Sequence, residues 1–302
     1  MGRQRFIAQP RPMAGGVHGI RLWRYVAPGL AATGFVLGIP MVFSLWVATH
    51  RYLLREGAIG SFTGLSNFLA AFGDERFVNA VANSGKLALA ATTVPVLIAL
   101  VLGSALATPR LRFRNTYLAI LMIPLFMPMV GSGLLWLLIL HPQQGIFNYI
   151  LTLVGVSPFP WLQAPETALW TVAMIDSWQQ TSLVTLLIFA GLLGVPDDAI
   201  QAARIDGAGA WQVYRFITLP LLRPTIITAA MIRLIMSVLT YDLVYVLTQG
   251  GPGISSEVLP FYIGRIAFRH LDLGYASALS WILLFLIGCV VSVAILGSKR
   301  SD

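Results

Sequence analysis

The sequence predicts an all-α, polytopic membrane protein with six transmembrane helices and a helical loop between the fourth and fifth. Three observations lead there. Of the 302 residues, 57% are hydrophobic and only 11% charged, whereas charged residues approach a quarter of an ordinary soluble domain. Six apolar stretches, residues 25–47, 87–108, 115–140, 167–196, 224–249 and 276–298, are each long enough to cross about 30 Å of hydrocarbon at roughly 1.5 Å per residue. Alternating strand patterns are absent, and a backbone in lipid must satisfy its own hydrogen bonds, which favours helices.

The first stretch follows five arginines and no acid within residues 1–24. It is too long for a signal-peptide core and no small-residue cleavage pattern follows, so it is read as a retained span. Outside the spans, thirteen Lys and Arg fall on the side of the N-terminus, the loop with Arg110, Arg112 and Arg114, residues 201–223 and the tail, against five on the other side. This bias predicts both termini in the cytoplasm. The organisation is then a cytoplasmic segment 1–24, a six-helix domain 25–298 whose loop 194–224 faces the cytoplasm, and a tail 299–302. The cations behind the net charge of +8 are dispersed between apolar segments, which argues against nucleic acid as a partner. The sole cysteine, Cys289, lies in an apolar run and excludes an intrachain disulfide or a Cys-rich metal site.

Pro40, Pro95, Pro124 and Pro128 each remove a backbone donor inside a span and predict bends. The outer loop 49–83 mixes Arg, Glu, Asp and aromatics, and a short surface helix is expected within it at 67–72. Residues 142–165 are rich in Gly, Pro and Trp. Both outer loops are long enough to carry contacts with a partner outside the membrane.

The loop between the fourth and fifth spans reads as two short helices joined by glycines. Asp197, after Pro196, is predicted to cap the first, and Asp197 and Asp198 suit the positive end of its dipole. Ala202, Ala203 and Ala208 leave little bulk, so another surface can approach closely. Gly207 and Gly209 are expected to end the helix with left-handed backbone angles. On physics alone the loop is either a docking knob or a connector.

Ala202, Ala203, Asp206, Gly207, Ala208, Ile217, Leu219 and Pro220 resemble the signature of the maltose-type and glycerol-phosphate-type carbohydrate permeases of ATP-binding-cassette importers. That signature is Glu-Ala-Ala, three residues to Gly, and a downstream Leu-Pro. Gln201 stands where Glu is usual and Tyr214 where Phe is usual. Residues 62–68 with Asp74, Phe77 and Asn83 are similar to the family's segment before the second span. Residues 121–128 with Trp136, Gly145 and Asn148 look like its third span and following loop, and 241–252 like the end of its fifth. The resemblance covers nearly the whole chain.

It implies a multi-pass permease of the bacterial inner membrane, in a heterodimer with a second permease subunit. Two ATP-binding-cassette ATPase subunits would grip the two loops, and an extracytoplasmic substrate-binding protein would deliver the sugar. Gln201, Ala202, Ala203, Asp206, Gly207, Ala208, Gly209 and Pro220 would form the ATPase-coupling surface. No phosphate-binding Gly-rich loop with Lys and Ser or Thr occurs, so the chain is not expected to be an enzyme or to hold a cofactor; ATP and Mg belong to the partner subunits.

Ionisable groups inside spans are expensive, about 2.5–3.5 kcal/mol each on insertion scales, and there are three: Asp176, Arg233 and Asp242. At about 100° per residue, Arg233, Ser237, Thr240 and Tyr241 share one face of the fifth span, with Met236 at its margin and Asp242 opposite. Asp176, Gln179, Gln180 and Leu183 share a face of the fourth, and Trp178 points elsewhere. Such faces are read either as a path matching sugar hydroxyls or as interhelical glue worth about 0.6 kcal/mol per contact. The resemblance favours the path, because the matching positions line the family's sugar site. For Arg233 three partners stay open: Asp176, the membrane interface, or an anionic substrate such as a glycerophosphodiester. Two other classes fit the sequence less well. A proton-coupled secondary transporter using Asp176 and Asp242 is disfavoured by the lack of an evident repeat. An intramembrane enzyme is disfavoured because no two acids share a span face and His18, His50, His141 and His270 are scattered.

Overall fold

A computed structural model describes residues 18–108 and 111–299. Most of the expected N-terminal segment, Arg110 and the tail from residue 300 onward lie outside the described residues. The helices are α1 His18–Ala48, α2 Ser66–Phe72, α3 Glu75–Ala107, α4 Arg114–Met122, α5 Met129–Ile139, α6 Ile146–Leu153, α7 Pro165–Leu193, α8 Asp197–Ile205, α9 Ala210–Val213, α10 Leu219–Val238, α11 Asp242–Leu247, α12 Leu259–Phe268 and α13 Leu273–Lys299. Four helices are each long and apolar enough to cross a membrane, and two bent pairs, α4 with α5 and α7 with α8, raise the count to as many as six.

The boundaries differ from the sequence expectation where local chemistry overrides hydropathy. The second span begins at Glu75, because Asp74 caps it: its Oδ1 accepts from the N–H of Arg76 at 3.0 Å and of Phe77 at 3.3 Å. The third is broken where its two prolines predict a bend, and more sharply than a kink. Pro124 lies in the 3₁₀ turn Ile123–Phe126, Pro128 is the N-cap of α5, and the two halves meet at 95°. Pro40 and Pro95 stay inside unbroken helices. The fifth ends at Val238 and restarts at Asp242, so helical arithmetic fails beyond the break. Asp242 is an exposed first-turn residue of α11 rather than the far side of α10. The surface helix appears as α2, while α6 and α12 were not foreseen.

Within 142–165, Asn148 holds the chain around α6. Its Oδ1 accepts from the Phe159 N–H and the Trp161 Nε1, both at 3.0 Å.

Close packing explains the core. α3 lies along α7 through small residues such as Ala91, Ala99 and Gly103, and a Cβ on Gly103 would stand 2.9 Å from Ile188 Cγ2. α7 meets α10 at Gly191, where a Cβ would stand 2.7 Å from Thr225 Cγ2. One apolar cluster, with Ala99, Ile188 and Leu222, fills that end of the bundle; a second joins α3, α7 and α11, and a third joins α2, α3, α12 and α13. By contrast α1 packs chiefly on α13 and is otherwise mostly exposed.

At the end of the bundle opposite α8, polar side chains clamp the start of α3 to α12 and α13. Asp74 Oδ2 accepts from the Tyr262 hydroxyl and, at 2.8 Å, from that of Tyr275. Glu257, fully buried, lies between Arg76 at 2.5 Å and Arg265 at 3.3 Å. Burial pushes the Asp74 carboxyl up, but hydrogen bonds from Tyr262, Tyr275 and the N–H groups of Phe77 and Arg76 outweigh it and hold it below the usual 3.8. A depressed carboxyl contributes stability that is present above 3.8 and lost as pH falls through the folded value. The thermal midpoint of wild type should therefore exceed that of Asp74→Asn at neutral pH, and the gap should close as pH drops below 3.8. A gap that stays constant across that window would show the carboxylate does not hold the clamp.

Candidate functional site

Helix α7 runs through the middle of the bundle and is buried on most of its circumference, so its polar side chains must find partners inside the protein. Gln179 Nε2 donates to the Met127 carbonyl at 2.7 Å, and Ser182 Oγ to that of Leu121 at 2.5 Å. Both acceptors belong to the broken span α4–α5, where Pro128 provides no N–H. The sequence signal for this was present as two polar residues opposite a Pro-interrupted span, and it was not used.

Asp176 Oδ2 meets Arg233 Nη2, with the two side chains 0% and 1% exposed. This joins α7 to α10 and selects one of the three partners foreseen for Arg233. Burial at this level excludes snorkelling. Among the described residues, Asp176 Oδ1 and Arg233 Nε and Nη1 have no hydrogen-bond partner, and neither do Gln179 Oε1 and Gln180 Oε1. Ser237 Oγ donates to the Leu234 carbonyl at 2.9 Å and lies 3.4 Å from Thr92 Oγ1 on α3.

The two predicted polar faces therefore do come together. Asp176, Gln179, Gln180, Arg233, Ser237 and Thr240 are buried within this chain, whereas Leu183 and Tyr241 are half-buried and Met236 is 37% exposed. An exposed apolar rim flanks them: Ile232, Met236 and Leu239 on and just after α10, and Trp170, Met174 and Trp178 on α7. Trp178 indeed points away from the polar face, edge-on to Trp136 at 5.4 Å. Tyr241 is placed by the break rather than by α10's face, and it stacks on Tyr245 with ring centroids 5.7 Å apart and planes at 15°. Tyr245 was missed; two tyrosines four residues apart on one short helix were the available signal.

The loop after α7 turns through 67° into α8. Its N-cap is Pro196 with no side-chain cap, so Asp197 is a first-turn residue, not the capping residue; with Asp198 it still faces the positive end of the helix. Gln201, Ala202, Asp206 and Gly207 are exposed, and Ala203 and Ala208 half-buried. Gly207 has φ +85°, with nothing within 4 Å of where a Cβ would stand. Gly209 does not share that conformation. At φ −70° it is the N-cap of α9, its N–H donating to Gln212 Oε1 at 2.8 Å. α9 continues through a π turn, Tyr214–Thr218, directly into α10, whose second residue is Pro220. Ile205, Trp211 and Phe216 are strongly exposed around Gly207, an apolar patch of the kind that marks a protein contact.

Residues 96–298 match the family described as binding-protein-dependent transport system inner membrane component. The chain is similar to the trehalose/maltose transport system permease protein MalF of Thermococcus litoralis, 34% identical across 82% of this chain and 82% of that protein. It is likewise similar to the sulfoquinovosyl glycerol transport system permease protein SmoG of Agrobacterium fabrum, 32% identical across 89% of this chain and 87% of the relative. Among solved structures, a chain of the bacterial alginate ABC transporter in complex with alginate pentasaccharide-bound periplasmic protein has a TM-score of 0.74 at 21% identity, covering 93% of this chain and 98% of that one. That likeness shows a shared fold.

Removing one member of a buried pair costs about 3–5 kcal/mol, because the other is left charged and unpaired. Arg233→Leu should lower resistance to denaturant by that order, and Asp176→Leu combined with Arg233→Leu should recover much of the loss. Strictly additive effects of the two substitutions would show that the groups are not coupled.

Proposed function

We propose a carbohydrate path for this chain from the premise that it belongs to the family of inner membrane components of binding-protein-dependent transport systems. It is a transmembrane permease subunit of an ABC importer. The substrate is a mono- or oligosaccharide, guided through a pore that this chain shares with a second permease subunit. Both termini face the cytoplasm. Two ATPase subunits carry ATP and Mg and grip the α8 loops, and an extracytoplasmic binding protein presents the sugar.

The observation that carries the substrate class is the Asp176–Arg233 pair. It cancels charge where α7 and α10 meet, so the polar level of the path suits hydroxyls rather than an ion. Gln180 and Ser237 are the neutral groups suited to sugar hydroxyls, and the Tyr241–Tyr245 stack is a candidate aromatic platform. In the alternating-access cycle the path is wetted and sealed in turn as the ATPases pull on α8. The second reading, a glycerophosphodiester or glycerol phosphate, is favoured by the free Nε and Nη1 edge of Arg233, which an anion would take.

Surface chemistry supports the docking role of the loop. α8 presents little side-chain bulk at Ala202 and Ala203, and the exposed Ile205, Trp211 and Phe216 surround it. Gly207 sits at a left-handed position that disfavours any side chain by about 1–2 kcal/mol.

The test is transport by the reconstituted importer with its binding protein, over a panel of saccharides and glycerophosphodiesters. Saccharide uptake that falls several-fold in Gln180→Ala or Ser237→Ala at unchanged abundance is expected, and unaltered transport in both would remove these faces from the path. Gly207→Leu should leave membrane insertion intact and detach the ATPase from the purified complex. Normal assembly and coupling by that variant would overturn the docking role.

A further inference from the structure

Behind α8 the ends of α3 and α7 meet the first residue of α4 and the π turn, and together they line an open cavity of about 740 Å³. Leu192, Leu193 and Ile200 make part of its wall apolar, while Arg114, Arg204, Tyr214 and Ser104 supply polar groups. Arg114 is held in place. Its Nη2 donates to the Thr108 carbonyl at 2.8 Å, its guanidinium lies 5.9 Å from the Phe189 ring centre, and its buried Nε has no hydrogen-bond partner among the described residues. The Ser104 proton goes to the Leu100 carbonyl at 2.6 Å, so the Tyr214 hydroxyl, 3.5 Å from Ser104 Oγ, is only loosely held.

Two arginines against the single carboxylate of Asp197 leave the lining with one net positive charge, Gln201 being neutral. Gln201 and Tyr214 also line this cavity. The first brings no negative charge and the second brings a hydroxyl donor. Both suit an anion, and no feature of the sugar path uses them. The π turn that brings Tyr214 and Thr218 to the wall is itself a departure from regular helix of the kind found at functional sites.

We propose that this cavity binds a phosphate-bearing anion through Arg114, Arg204 and Tyr214, with its apolar wall against adjoining hydrocarbon. The same chemistry is offered by the headgroup of an anionic phospholipid and by a soluble phosphate. The cavity lies where α3 ends, the level at which headgroups meet a span, and basic recesses between transmembrane helices are suited to them. An anion held there ties α8 to α3 and α4, so its occupancy stiffens the mount of the docking loop.

The experiment uses the assembled importer, permeases with ATPases, purified in mild detergent. Native mass spectrometry reads retention of phosphatidylglycerol against phosphatidylcholine, and calorimetry reads binding of inorganic phosphate. Wild type should prefer phosphatidylglycerol, with Arg204→Gln lowering retention about tenfold and Gln201→Glu and Tyr214→Phe lowering it by smaller factors. Saturable phosphate binding that the same variants lose, without any lipid preference, would assign the site to a soluble anion. Tyr214→Phe removes a single oxygen and leaves the π turn intact, so the test survives failure of the other variants to assemble. Phosphatidylglycerol retention and phosphate binding unchanged in Tyr214→Phe and Arg204→Gln overturn the proposal, whatever happens to transport.

Discussion

A backbone in hydrocarbon has no water to fall back on, so each break in a helix must be repaired by the protein itself. In this chain α7 performs that repair. Its Gln179 and Ser182 donate to the carbonyls of Met127 and Leu121 and thereby permit the 95° bend between α4 and α5. Because α7 is committed on that side to the broken span, it packs on α3 through small residues and on α10 through Gly191 and the Asp176–Arg233 pair. The positions of Asp176, Gln179, Ser182 and Arg233 follow from this one central helix.

What hydropathy could reveal was length and count. Six apolar stretches, the helical loop between the fourth and fifth, and the left-handed Gly207 were legible because each depends on composition or on a single residue's backbone freedom, whereas the Asp197 cap and a left-handed Gly209 were not found. Direction was legible only where proline marked it. Pro124 and Pro128 signal the bend within 115–140, but nothing in 224–249 distinguishes a straight rod from one broken after Val238. The faces computed for Arg233 and Ser237 survived because they lie before the break, whereas Tyr241 and Asp242 were displaced by it. α6 and α12 escaped for a different reason: each is too short to span and its burial is against the ends of other helices.

The site itself was half legible. Periodicity grouped Asp176 with Gln179 and Gln180, and Arg233 with Ser237, but a helical wheel says nothing about which helices face one another. That the two wheels meet, and that the arginine's charge is spent on the aspartate, required the packing. Tyr245 and the Asp197 side chain show the converse, local details that tertiary geometry reassigns.

The π turn at Tyr214–Thr218 joins α9 to α10 without interruption, so Ala210 to Val238 is one rod of 29 residues. From Ala210 to Arg233 that rod measures roughly 35 Å at 1.5 Å per residue. Tilting its loop end by about 10° sweeps the far end through about 6 Å, the width of a sugar ring. The extra residue in the turn also offsets the register of everything beyond it. A push delivered at the loop thus reaches the buried guanidinium as leverage, with the π turn serving as the wrist.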